Sequence, residues 1–330
     1  MHRHALKRPS HRRRVRISMS CLVVATTLAS TLQAQSGGDG NRIRRLPRLG
    51  DHRFVLSTTL SDPFIATYAR SMTGLGVAYG DIPIDTTGLG TATSAAGKSA
   101  FLVLGFEYQQ AFGNRLAIWG NFAGGGRVGS SDQSALVEGV SVSTEFQVGV
   151  LVQTWRSRRV LVSGSFDIGR SVILEVTPAE FARSLIRNMG AVDQARKDLF
   201  DSRDPLTSRM GARIAVAPAT WVGLSAMGEA GVVGLSNESR EFSWATGVSA
   251  SFDLLPSTGV PVGFATTYKN DQLSTFGEGS RRTSTVEIAI AFTGRDEFDI
   301  GLEGVWTEVP GLDQAKFDVL MARTRIRYFF

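Results

Sequence analysis

Residues 316–330 read KFDVLMARTRIRYFF. Successive side chains of an extended strand point to opposite faces. Leu320, Ala322, Thr324, Ile326, Tyr328 and Phe330 therefore share one face, and Arg323, Arg325 and Arg327 share the other. Guanidinium groups are costly to place against hydrocarbon unless they are paired or hydrated, so a strand divided in this way separates two media. The segment before it repeats the division, with Phe298, Ile300, Leu302 and Trp306 opposite Asp299, Gly301, Glu303 and Thr307. Two neighbouring strands thus place acids and bases on a common face.

The alternation continues towards the N-terminus. Val286, Ile288, Ile290 and Phe292 lie opposite Glu287; Val262, Phe264, Thr266 and Tyr268 lie opposite Lys269; and Phe242, Trp244, Val248 and Phe252 lie opposite Ser and Gly. Further strands are read at Thr220–Ala230, Leu206–Val216 with Arg209 and Arg213 on the polar face, Arg159–Ile173, Val140–Trp155, Arg115–Gly124 and Ala100–Phe112, with a first one within Phe64–Tyr79. Short connections such as Gly113-Asn114 and Arg156–Arg158 alternate with long polar ones such as Asp81–Gly97 and Leu174–Pro205. This pattern predicts an all-β chain folded as a transmembrane antiparallel up-and-down β-barrel of about twelve strands, with fourteen as the alternative. A soluble sandwich also alternates, but its strands are usually about 5–6 residues long. Aromatics also fall near both strand ends: Phe112, Trp155, Trp221, Phe292, Phe298 and Tyr328 towards the short turns, and Tyr79, Phe242, Tyr268 and Trp306 towards the loops. Two aromatic girdles are a barrel feature.

The ending Arg325-Ile-Arg-Tyr-Phe-Phe330 resembles the C-terminal ending of Gram-negative outer-membrane β-barrel proteins. The resemblance covers the last strand, with the alternation supporting it from about residue 64, and it names a class without a function. It implies a place in the outer membrane among its lipids, and it implies that Ile326, Tyr328 and Phe330 form the signal read by the barrel-assembly machinery.

The N-terminus has a different composition. Residues 1–16 are basic without an acid, an apolar stretch follows to about Leu32, and Leu32-Gln-Ala34 supplies a small residue for cleavage before Gln35. That is the order of a secretory signal peptide. The expected division is residues 1–34 as the cleaved signal, 35–63 as a periplasmic N-terminal tail, a plug or an extra strand pair around Phe54–Leu60, and 64–330 as the barrel. The signal holds seven of the 36 basic residues and none of the 30 acids, which leaves 29 bases against 30 acids. The basic balance of the whole chain therefore belongs to the leader, and nucleic-acid binding loses its support. Cys21 and three of the four histidines also leave with it, so His52 is the one that remains.

The polar faces carry Glu107, Glu145, Asp167, Arg209, Arg213, Glu229, Lys269, Glu287, Asp299, Glu303, Arg323, Arg325 and Arg327. Charges on the inner wall of a barrel are either solvated by a channel or neutralised by partners. The first case is a pore that selects solutes by charge. The second is a network in which Asp299 and Glu303 pair with the arginines of the last strand. Small lumen residues (Ser243, Gly247, Ser249, Ser251, Gly223, Ser225) favour interior space, and Trp119 favours closure. Residues 177–200 open Thr-Pro-Ala-Glu, an N-cap followed by Pro and a capping-box acid, which predicts a helical segment in the longest outer loop. A Ser–His arrangement of the kind found in outer-membrane phospholipases needs a histidine in the wall, and His52 precedes the first strand. The reading is therefore a channel or passive transporter for small polar or amphiphilic solutes, with no cofactor, no metal and no covalent chemistry. Its alternative is a structural or surface-interaction barrel closed by its charge network.

Overall fold

Period-two alternation gives each segment one apolar and one polar face, and closing the sheet leaves no edge unpaired. In the computed structural model twelve strands close in this way. The structure describes residues 47–84, 93–129, 140–176, 200–203, 205–234, 240–275, 279–310 and 316–330. A two-residue pair, β1 (Arg48–Leu49) and β2 (His52–Arg53), precedes the barrel strands β3 (Tyr68–Ile84), β4 (Thr93–Phe112), β5 (Leu116–Gly129), β6 (Val140–Arg156) and β7 (Val160–Val176). After them come β8 (Phe200–Arg203), β9 (Leu206–Ala219), β10 (Val222–Gly234), β11 (Glu241–Asp253), the helical turn α1 (Leu255–Thr258), β12 (Val262–Thr275), β13 (Gly279–Phe292), β14 (Phe298–Pro310) and β15 (Lys316–Phe329).

Each barrel strand pairs antiparallel with its neighbours in sequence, and β15 pairs with β3 to close the ring. Beside β7, the register passes from Arg170↔Leu206 in β9 to Ile173↔Arg203 in β8, so β8 is the outer continuation of β9. The barrel strands are 13 to 20 residues long, more than the 9–11 that a tilted membrane crossing requires. They run past the sequence-read ends into stretches expected to be loop: β3 extends to Ile84, and β12 to Thr275. Polarity marks where the membrane ends, whereas the backbone ladder continues wherever two strands remain side by side. The Leu255–Gly259 connection holds the helical turn α1, which Gly259 ends in the left-handed conformation at φ 74°. The helix expected near 178–200 lies outside the described residues except for Phe200, which begins β8.

The outer surface is apolar. Leu75, Leu104, Phe106, Phe146, Ile168, Ile214, Ile288 and Leu302 are all exposed along its middle. Near the short turns, Trp221 stacks with Phe252 and Phe292 with Phe298, and Tyr328 meets Phe330 edge to face. Ile326, Tyr328 and Phe330 point outwards, while the Phe330 amide donates to the carbonyl of Thr67 at the seam.

Candidate functional site

The lumen at the short-turn end is filled by residues 47–67. The β1–β2 pair turns through Gly50 and Asp51, both at positive φ, and lies at the rim. There the Arg53 guanidinium donates to the carbonyls of Thr293, Arg295 and Phe298. The chain then rises along the wall. Leu60 packs with Met227 and Ala245 and fills the notch beside Gly247, six residues up β11 from Asp253. It then descends again, with Pro63 accepting from the Ser163 hydroxyl and Ile65 packing with Ala117, Trp119 and Leu151. The return ends at Tyr68, where β3 begins beside Phe329.

This segment folds inwards because its apolar side chains have matching wall sites. Phe54, Leu56 and Phe64 join Leu161, Ala215 and Ala217, and Val55 meets Ala265, Ala289 and Ala291. Removing such side chains from water is worth roughly 25 cal/mol per Å² of apolar surface. The opposing wall is alanine, serine and glycine, residues that leave room. Of the small residues read as interior space, Gly223, Gly247 and Ser251 face the segment, while Ser243 accepts from Arg209 and Ser249 from Thr267. A side chain at Gly223 would run into His52 and Phe54.

Most of the wall charges have a partner of opposite charge. The Arg325 guanidinium, wholly buried, donates to Glu303 at 2.8 Å and to both oxygens of Asp299. Arg323 donates to Glu287 at 2.7 Å and lies 3.1 Å from Glu303. Both acids are also held from inside the barrel, Glu303 by the Thr58 hydroxyl and Glu287 by the Thr59 hydroxyl and amide. Arg327 reaches Asp62 of the inserted segment at 3.4 Å, with its guanidinium over the Tyr68 ring. On the opposite wall Arg213 pairs with Glu229 at 2.9 Å and donates to the Asp62 carbonyl. Glu107 accepts from Arg70 and from the Tyr68 hydroxyl. Higher up, Arg209 and Lys269 share Asp271 at 3.0 and 3.1 Å. Asp167, 1% exposed, accepts from Gln147. Glu145 also lies on the lumen parity of β6 but is exposed towards the loop end. A polar cavity of about 40 Å³, room for a few waters, lies between the tip of the segment and the wall, lined among others by Ser61, Asp62, Tyr68, Glu107, Trp119 and Arg213.

His52 was read as preceding the first strand, yet insertion carries it to the wall. Its Nδ1 lies 3.2 Å from the Thr220 carbonyl and its Nε2 lies 3.3 Å from the Ser251 hydroxyl. A carbonyl only accepts, so Nδ1 carries the hydrogen and Nε2 accepts from Ser251. Burial holds the imidazole below its ordinary pKa, against the opposing pull of the Thr220 hydrogen bond and of Asp253. The pair has the donor order of a nucleophile and its base, but His52 is 0% and Ser251 2% exposed. The Ser251 oxygen also accepts the Val55 amide, and Asp253 is held by Thr293 and the Leu255 amide. Both side chains are buried, and their hydrogen bond joins the segment to β11. Sequence reasoning left residues 35–63 open between a tail, a plug and an extra strand pair, and it named no wall partners for His52–Ala66. The available signal was the run of apolar residues Phe54, Val55, Leu56, Leu60, Phe64 and Ile65 ahead of the first strand, matched by alanines on the lumen parity of β11 to β13.

A closed antiparallel barrel with an apolar outer belt, aromatic girdles and a polar interior crosses a membrane. The chain has the fold of an outer-membrane β-barrel. No protein-family model and no curated protein matches its sequence. Similar solved structures include the translocator domain of the autotransporter NalP from Neisseria meningitidis, 11% identical with a TM-score of 0.48, covering 94% of this chain and 97% of that one. An outer membrane channel from Pseudomonas putida F1 is 12% identical at a TM-score of 0.47, covering 83% and 99%. The β domain of the Bordetella autotransporter BrkA is 9% identical at 0.45, covering 80% and 100%. These are likenesses of architecture, and they name no function for this chain.

Proposed function

We propose that the chain is a gated passive channel for small polar or amphiphilic solutes, closed by its own N-terminal segment and working without covalent chemistry. One observation carries the reading: residues 47–67 fill the short-turn half of the lumen as a separate stretch of chain, while wall charges above them, such as Glu145 and Lys269, reach solvent. A barrel that served only as a scaffold could close its lumen with wall side chains. This one closes it with a stretch of chain outside the barrel strands, held to the wall mainly by side-chain contacts.

The test is to lock the segment in place. With Leu60→Cys and Gly247→Cys, oxidation holds the segment against β11, and the purified protein in a planar bilayer is expected to be silent. Reduction, or deletion of residues 47–66, is expected to restore conductance. A protein that conducts in neither state, and whose deletion variant inserts without conducting, overturns the channel reading. The second reading, a structural or surface-interaction barrel, would then hold, and the observation favouring it is the completely buried Arg325 with its two acids.

A further inference from the structure

The ion pairs of the lumen divide into two kinds. Arg323 and Arg325 are neutralised by acids of neighbouring wall strands and keep those partners whether the inserted segment is present or not. Arg327 differs: its ion pair is with Asp62, which belongs to the segment. The contact is also incomplete. Asp62 takes one hydrogen from Nη1 at 3.4 Å, while Nε and Nη2 of the same guanidinium are buried without a hydrogen-bond partner among the described residues. That leaves unused the edge of arginine that holds a carboxylate through two parallel hydrogen bonds.

We infer that Arg327 is the binding site for the solute, a small organic monocarboxylate with an apolar or aromatic body, and that Asp62 occupies it in the closed state as an internal substitute. This rests on the gated-channel reading and adds the substrate class. The surroundings set the charge and the shape. The Tyr68 ring lies 4.6 Å from the guanidinium carbon, which favours a planar partner in the guanidinium plane. Glu107 is balanced by Arg70 and Arg213 by Glu229, so the cation here whose acid belongs to the segment is Arg327, a single positive charge matched by a single carboxylate. Asp62 and Tyr68 line the small cavity at the tip of the segment together with Trp119, and Arg327 lies behind Asp62, so a carboxylate that displaces Asp62 has aromatic surface beside it. A solute carboxylate binding through two hydrogen bonds displaces Asp62, and the segment loses one of the contacts that keep it seated. The solute thus releases the gate that blocks it.

The experiment uses the full mature protein with benzoate as the probe and chloride at equal ionic strength as the control. In planar bilayers, millimolar benzoate is expected to raise the open probability of the wild type, and chloride is not. Asp62→Asn removes the internal competitor, so basal opening rises and benzoate, measured by calorimetry, binds about tenfold more tightly, because a larger fraction of sites is free. Arg327→Lys keeps the charge and the pairing with Asp62 but lacks the two-hydrogen edge, and its benzoate response is expected to fall about tenfold. A wild type indifferent to benzoate, or an Arg327→Lys response equal to that of the wild type, overturns the inference. If the cysteine lock still gates conductance in that case, the channel reading survives and the carboxylate site alone has failed.

Discussion

Leu60 lies where a side chain at Gly247 would stand, its δ1 carbon 2.4 Å from the position a β-carbon would take. A larger residue at 247 and a seated Leu60 therefore exclude each other, and the Tyr268 carbonyl of β12, 3.1 Å from the same position, must give by a few tenths of an ångström. Gly247→Leu is expected to weaken seating by about 1–3 kcal/mol, the usual range for overpacking. Single-channel recordings should show more frequent opening, with unchanged heat-modifiable gel mobility. A variant as quiet as the wild type would deny that this notch holds the segment.

Arg325 is the residue on which the buried network turns. Arg325→Gln leaves Asp299 and Glu303 in the interior without that cation, and losing one partner of a buried pair costs about 3–5 kcal/mol. The temperature at which the barrel unfolds in detergent should fall clearly. Arg158→Gln, whose pair with Asp51 is exposed and 3.6 Å long, should leave it unchanged.

The buried His52 predicts a pH dependence. Burial lowers its pKa from the ordinary 6.5, so the unseated segment takes up a proton more readily than the seated one. Linkage then gives seating its full strength above about 6.5 and weakens it as pH falls below that value towards the lowered pKa. The groups facing the ring are the Thr220 carbonyl, the Ser251 hydroxyl and, through charge, Asp253. Open probability recorded between pH 7.5 and 5 should rise on acidification in the wild type and stay flat in His52→Gln. A rise of equal size in both would assign the effect to another group.

Deletion of Phe330 tests the assembly signal. The residue is exposed on the outer face, so its loss removes little packing. A drop in membrane-inserted protein with accumulation of degraded chain is expected, and an unchanged insertion yield would count against the C-terminal resemblance. N-terminal sequencing of membrane-extracted protein is expected to begin near Gln35.

The strands could be read because a membrane barrel repeats one instruction, apolar outwards and polar inwards, at every second residue. The pairing of Arg325 with Asp299 and Glu303 was foreseeable for the same reason, since β14 and β15 are adjacent and in register. A plug was among the courses the sequence allowed for residues 35–63, but the contacts of residues 47–66 were not foreseeable. Their partners lie far along the chain, His52 with Ser251 and Asp62 with Arg327, and no local periodicity encodes such contacts. Gly247 and Ser251 show the ambiguity directly: a small lumen residue reads as space, and sequence does not say what fills it. Strand ends were misjudged for a different reason, because polar residues beyond the membrane continue the ladder as readily as apolar ones within it.

The inserted segment ends at Thr67, whose carbonyl accepts the Phe330 amide where the first and last barrel strands meet. One end of the gate is thus fastened to the seam that closes the cylinder. A segment released from the lumen stays on a short leash at the periplasmic mouth, and its return is an encounter within one molecule. For short flexible tethers the effective concentration of such an encounter is of millimolar order. Under the gated-channel reading, a pore vacated by its solute is expected to close again at a rate set by the leash.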